Sequence, residues 1–258
     1  VSGHSPALAG TAGDPASPVH RLDPRAKIVG LVAVVLVAVT TPLAAWPVWV
    51  ACLALLAAVA AAGRVSPAAV WRRARFLLPA VLLAVAFLPF VRPGGASHAL
   101  GPLTVHQDGL ETAAAVAAKA AIGTLAAVLL ALTTGFPQVL RGLEAMRAPR
   151  LLVTIAAFMY RYMFVIAAEL GRMRAALAAR GYSPRNALHA GALGRLATAS
   201  FLRTHARGER VYRAMLARGY AGSMPPGAPL ALGRADAAFV VAVLAALVPL
   251  RVAVGFAG

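Results

Sequence analysis

One cysteine, Cys52, is the whole thiol content of this chain, and it lies inside an apolar run. A disulfide framework and a cysteine metal site are therefore excluded. Carboxylates are also scarce, with eight Asp and Glu among 258 residues and none inside the long apolar stretches. Paired acid/base chemistry within those stretches has no groups to work with. The only lysines are Lys27 and Lys119, followed by Ile28 and Ala120, so no phosphate-binding loop ending in Lys-Ser or Lys-Thr is present. The six histidines, His4, His20, His98, His106, His189 and His205, are scattered. None pairs with another at helical spacing, and each reads as a surface or interfacial residue rather than a metal ligand. His106 with Asp108 and Glu111 is the densest polar set, and reads as loop polarity. No catalytic constellation, metal site or cofactor is expected.

What is abundant is apolar. Hydrophobic residues make up 60% of the chain and charged residues 13%, with a mean hydropathy of +0.77. Those values fall outside the range of soluble domains and inside that of membrane proteins. The first 19 residues, rich in Ala, Gly, Ser and Pro, lack the basic start and apolar stretch of a secretory signal, and read as a flexible tail over 1–19.

Charge-free runs place the membrane spans. Between Lys27 and Arg64 no charge occurs, and Pro42 and Pro47 divide the run beside Trp46 and Trp49. Two helices near 28–41 and 48–63 are predicted, with the tryptophans at the interface. A third run covers 76–91, short enough to be distorted or partly re-entrant, and ends at Arg92-Pro93-Gly94-Gly95. A fourth covers 112–134, interrupted by Lys119, and a last one 237–254. The expectation is an all-α integral membrane protein of about five transmembrane helices, four of them within 20–134 and the C-terminal one within 236–258. The small-residue face Ala113, Ala117, Ala120, Ala121 and Thr124 of the fourth span suits close helix packing, here against a partner or a neighbouring helix. Lys119 must either pair across helices or snorkel.

The balance of 25 Lys and Arg against eight Asp and Glu is very basic, and its distribution sets the orientation. With the N-terminus inside, seven basic residues up to Arg75 and fifteen from Arg141 to Arg234 lie on one side. Only Arg92 and Arg251 lie near the other, with Lys119 within a span. By the positive-inside rule the N-terminus is cytoplasmic, in a multi-pass protein of the cell membrane. Basic faces also suit nucleic acid, but aromatic interleaving and any reading motif are missing, so no nucleic-acid partner is expected.

The segment 135–235 is too long for a plain loop and reads as a cytoplasmic domain of long amphipathic helices. A short helix is predicted over Pro137–Arg147. From Leu152, apolar residues recur at Ile155, Met159, Tyr162, Ile166, Leu170, Met173 and Leu177, in steps of three and four, which predicts one long helix stopped at Gly181 before Ser183-Pro184. A second begins after Gly194, with Arg203, Arg207 and Arg210 on one side, and stops at Gly219 before Pro225-Pro226.

Both helices end in the same words. Ala179-Arg180-Gly181-Tyr182 and Ala217-Arg218-Gly219-Tyr220 place Arg180 and Arg218 38 residues apart. An arginine in the last turn complements the helix dipole and a glycine ends the helix, so a single copy is explained by capping. Two copies on successive helices also fit a pair of arginine forks presented to two acidic grooves, and two grooves imply a dimeric partner.

On these residues the chain resembles the T component of an energy-coupling-factor (ECF) transporter, an EcfT-like coupling subunit, in the cobalt-type CbiQ family. The resemblance is carried by SPVHRLDPRAK (17–27), MYRYMFVIAAELGRMRAALAARG (159–181) and FLRTHARGERVYRAMLARGYAG (201–222). It implies that Ala179, Arg180 and Gly181, and again Ala217, Arg218 and Gly219, dock into grooves of two ECF-type ATPase subunits. It further implies a substrate-binding membrane subunit for cobalt as the other partner, and a non-catalytic role transmitting ATP-driven movement between them. A nickel or vitamin system and an autonomous secondary metal carrier are the alternatives. The HRLDPRAK stretch is either a positive-inside anchor or a contact with the coupling helices.

Overall fold

The computed structural model describes residues 17–42, 45–76, 78–91, 97–100, 103–182, 190–222 and 230–256. The first sixteen residues, with His4, then Arg92-Pro93-Gly94-Gly95, Ser183-Pro184, His189 and Pro225-Pro226 lie outside these. The chain divides into two compact units, residues 1–145 with 230–258, and residues 146–229.

The first unit holds α1 (Pro18–Arg21), α2 (Pro24–Thr40), α3 (Trp46–Ala62), α4 (Pro67–Ala74), α5 (Leu78–Val91), α6 (Gln107–Thr133), α7 (Phe136–Ala145) and α10 (Arg234–Phe256). Three of these helices start by one local device. Ser17, Asp23 and Ser66 stand at the N-cap, each followed by proline at the first helical position. The proline has no N–H to leave unpaired there, and the side-chain oxygen before it accepts a backbone N–H of the first turn. Thus Asp23 Oδ1 accepts from Arg25 N at 2.8 Å, and Ser66 Oγ from Ala69 N at 3.3 Å. Ser17 and Val19, at the end of what composition reads as tail, are buried.

The core of this unit is built from helical periodicity. Leu31, Val34 and Ala38 of α2 meet Val48, Cys52 and Leu56 of α3, Ile122, Ala126 and Leu129 of α6, and Val243 and Leu247 of α10. Steps of three and four bring one stripe of each helix inward. The outward stripe is also apolar, with Leu36, Val39, Val50, Leu82, Phe87 and Val241 exposed. Helices apolar on both sides are matched to a lipid surround rather than to water. Gly30 admits the closest approach: a Cβ there would lie 2.7 Å from Cε1 of Phe239, so α2 and α10 cross where a side chain is missing.

Between α5 and α6 lies an antiparallel hairpin of β1 (Ser97–Leu100) and β2 (Leu103–His106), with Ser97 opposite His106. The architecture is thus predominantly rather than wholly helical. Thr104 and Val105 favour extended backbone. Asp108 lies in the first turn of α6, where an acidic residue is favoured by the helix dipole.

The second unit holds α8 (Arg150–Ala179) and α9 (Ala190–Ala217). α9 starts before the Gly191–Gly194 stretch rather than after it, so both glycines are helical. Helix interiors tolerate glycine at a cost of about 1 kcal/mol each, which the rest of a long helix absorbs. Among the described residues two helices, α6 and α8, are long and apolar enough to cross a membrane. In α8 this character comes from residues 151–168, where Arg161 is the sole charge. The remainder of α8 carries Glu169, Arg172 and Arg174 and is of another kind.

Candidate functional site

The two repeated motifs fold into the same local structure. At the end of α8, Gly181 adopts a φ of +76°, open to glycine and strained for other residues. This reversal lets Gly181 N donate to Ala178 O at 3.0 Å and Tyr182 N donate to Leu177 O at 3.1 Å. At the end of α9, Gly219 has a φ of +83°, Gly219 N donates to Leu216 O at 3.0 Å, and Tyr220 N donates to Met215 O at 3.0 Å. The paired six-to-one and five-to-two bonds define a Schellman cap, which satisfies carbonyls the helix end would leave without partners.

Each cap holds its arginine in one place. Arg180 and Arg218 are the residues immediately before the left-handed glycine, at the boundary of the helix. Both are exposed, as are Ala179, Gly181, Ala217 and Gly219. Among the described residues no hydrogen bond or ion pair engages either guanidinium. Among the described residues a Cβ at either glycine would meet nothing within 4 Å, so no described side chain crowds the helix tips. A tip bearing an unengaged planar cation with five N–H donors is suited to enter a groove lined by carboxylates.

A carboxylate links the two helices behind the tips. Glu169, the only acidic residue of α8, is buried, and its Oε2 accepts from Arg207 Nη2 at 3.1 Å. Its Oε1 accepts from Arg203 Nη1 at 3.4 Å. The two arginines stand one turn apart on α9 and close on one carboxylate from the same side. Sequence reading places Arg203 and Arg207 on a basic face and overlooks Glu169. The available signal was a lone acid among Arg172 and Arg174 on an otherwise basic helix. Further along α9, Glu209 pairs with Arg213 at 3.5 Å and lies 3.7 Å from His205, whose ring stacks on Phe201.

The HRLDPRAK stretch turns its polar groups into the first unit. Asp23 caps α2, Lys27 Nζ donates to Thr133 O at 3.1 Å, and Asp23 N donates to Asp236 Oδ1 at 2.7 Å. The stretch therefore joins α2 to the end of α6 and the start of α10, an internal anchor. Lys119 donates to Val39 O at 2.8 Å and Arg251 Nη2 to Thr40 O at 3.2 Å. Two cations from other helices thus serve the carbonyls at the C-terminus of α2, whose own last turn has no basic residue. Among the described residues no group of three or more His, Cys, Asp or Glu is placed to hold a metal ion.

Residues 15–227 match the family model CbiQ, described as "Cobalt transport protein". The chain is also similar to a "Putative fused cobalt transport protein CbiMQ" of Methanocorpusculum labreanum, at 26% identity over 215 residues. That alignment covers 81% of this chain, and the chain spans 36% of the relative's length.

Proposed function

This chain belongs to the CbiQ family of cobalt transport proteins, and from that premise we propose that it is the transmembrane coupling subunit of an ECF-type importer for cobalt ions. It has no catalytic role in this reading. ATP is hydrolysed by two separate cytoplasmic ATPase subunits, and the metal is bound by a separate membrane subunit. The match to about a third of a relative named as a fusion supports a partner module beside the segment matched here.

The observation that carries the reading is the pair of identical capped tips. Arg180 and Arg218 each end a long helix, each is exposed, and each is held by the same Schellman geometry. Inserted into the grooves of two ATPase subunits, the guanidinium forks would bond carboxylates bidentately, an interaction stronger than a neutral hydrogen bond. Closure of the ATPase pair on nucleotide then moves both grooves, and the tips follow. α8 and α9 carry that movement along their length to the membrane subunit.

In this reading α2, α3, α5, α6 and α10 are the five spans, the N-terminus is cytoplasmic, and 135–235 is the coupling domain. The apolar half of α8, residues 151–168, faces lipid or the membrane partner. Its exposed Leu151, Leu152, Ile155, Met159 and Met163 supply an adaptable apolar surface for a partner that moves.

Reconstitution tests the assignment. Arg180→Glu combined with Arg218→Glu is expected to abolish copurification of the ATPase subunits and cobalt uptake into proteoliposomes. Retention of both would refute it, and uptake by this chain alone would establish an autonomous carrier instead.

A further inference from the structure

Glu169 and Arg207 stand at equivalent positions of the repeated segment. The offset that relates Arg180 to Arg218 is 38 residues, and the same offset relates Glu169 to Arg207. In this register Arg172 matches Arg210, Ala176 matches Ala214, and Ala179 through Tyr182 match Ala217 through Tyr220. Each arm from the crossing to the tip is therefore eleven residues long. At 1.5 Å per residue that is roughly 16 Å, and eleven residues are close to three full turns, so each tip arginine returns to the face that carries the crossing residue.

Contact between equivalent positions of two related segments is the property of a two-fold axis, where a residue meets its own copy. Identical charges there would repel. In this chain one copy is an acid and the other a base, bonded at 3.1 Å, and Arg203 adds a second bond to the same carboxylate at 3.4 Å. The carboxylate is buried, whereas Arg203 is exposed and Arg207 half-buried, so the acid is the shielded member of the cluster.

We propose that the Glu169 bond to Arg207 and Arg203 is the pivot of a pseudo-two-fold crossing that holds the two arginine tips at equal reach, matched to a partner that is itself two-fold. Glu169 is thus a positioning residue. It touches no ATPase, and it acts by fixing the angle at which α8 and α9 diverge. Leverage makes the angle matter: a tilt of about 10° at the pivot moves a tip roughly 16 Å away by about 3 Å, the length of a hydrogen bond. The inference rests on the coupling function proposed above for the two tips, but its first measurement does not.

Ala176 and Ala214 are equivalent, exposed positions on the two arms. Spin labels on Ala176→Cys and Ala214→Cys, in a Cys52→Ala background of the full chain in nanodiscs, report the spread of the arms by pulsed dipolar spectroscopy. One narrow distance distribution is expected with Glu169 present, and a broadened or displaced one with Glu169→Gln. Arg203→Gln with Arg207→Gln should reproduce the change while leaving Glu169 in place. In the assembled transporter, Glu169→Gln should retain the ATPase subunits yet transport several-fold less cobalt per ATP hydrolysed. An unchanged distance distribution in both variants overturns the pivot whatever the ATPases do. A changed distribution in a chain that binds no ATPase leaves the pivot standing and removes the coupling function.

Discussion

The backbone N–H of Asp23 donates to Oδ1 of Asp236 at 2.7 Å, joining residues 213 apart in the chain. The other oxygen of Asp236 accepts from Gly233 N at 2.7 Å, at the start of α10. One buried carboxylate therefore caps the last helix and holds the beginning of the second. Asp23 in turn caps α2 with its own side chain. Two aspartates in series close the first unit between its two ends.

Replacement of Asp236 by Ala removes both acceptors and leaves the N–H of Asp23 buried without a partner. An unsatisfied buried donor costs about 1–3 kcal/mol. Asp236→Ala should lower the thermal unfolding midpoint in detergent, and Asp236→Asn should lower it less, since its amide oxygen still accepts one bond. Equal midpoints for all three proteins would show that the link contributes nothing.

Gly181 offers a test of the cap free of steric confusion, because among the described residues a Cβ there has nothing to strike within 4 Å. The cost of Gly181→Ala is conformational, roughly 1–2 kcal/mol for an L-residue held in the left-handed region. Asn, which visits that region more readily, should cost less. Faster amide hydrogen exchange at Tyr182, with weaker ATPase association in the order Gly, Asn, Ala, is the expected result.

At Gly30 the expected effect is steric. Leu placed there drives into the ring of Phe239, and overpacking of this kind costs about 1–3 kcal/mol. Gly30→Leu should lower the unfolding midpoint, and adding Phe239→Ala should recover part of the loss. Independent, additive losses would show that α2 and α10 do not meet at this pair.

Lys119 is expected to be structural. Lys119→Met removes a donor to Val39 O and should cost about 1 kcal/mol in stability while cobalt uptake by the assembled transporter persists. Loss of uptake with stability unchanged would assign Lys119 to the transport path.

Much of this was readable from local rules. Charge-free runs and proline positions located the apolar helices to within a few residues, because each depends on residues adjacent in sequence. The short helix α4 escaped notice because Arg72 and Arg73 break the apolar pattern by which spans are found. The hairpin at 97–106 is a pair of four-residue strands, too brief for alternation to stand out. The start of α9 was misjudged because Gly191 and Gly194 resemble a helix boundary when only neighbours are considered. The length and apolarity of α8 were partly hidden by its mixed composition, apolar over 151–168 and basic beyond.

Local sequence was enough to set the apolar helical character of the chain, the basic character of its polar segments, and both helix stops. Helix periodicity, the scarcity of acids and the left-handed preference of glycine act over a few residues and need no fold to express them. Which residues answer one another across long separations was set by packing alone. That Asp236 serves Asp23, that Lys119 and Arg251 complete the end of α2, and that Glu169 meets its own counterpart in Arg207 are matters of packing. A buried polar group must find a partner, and which partner it finds depends on where the chain brings distant helices together.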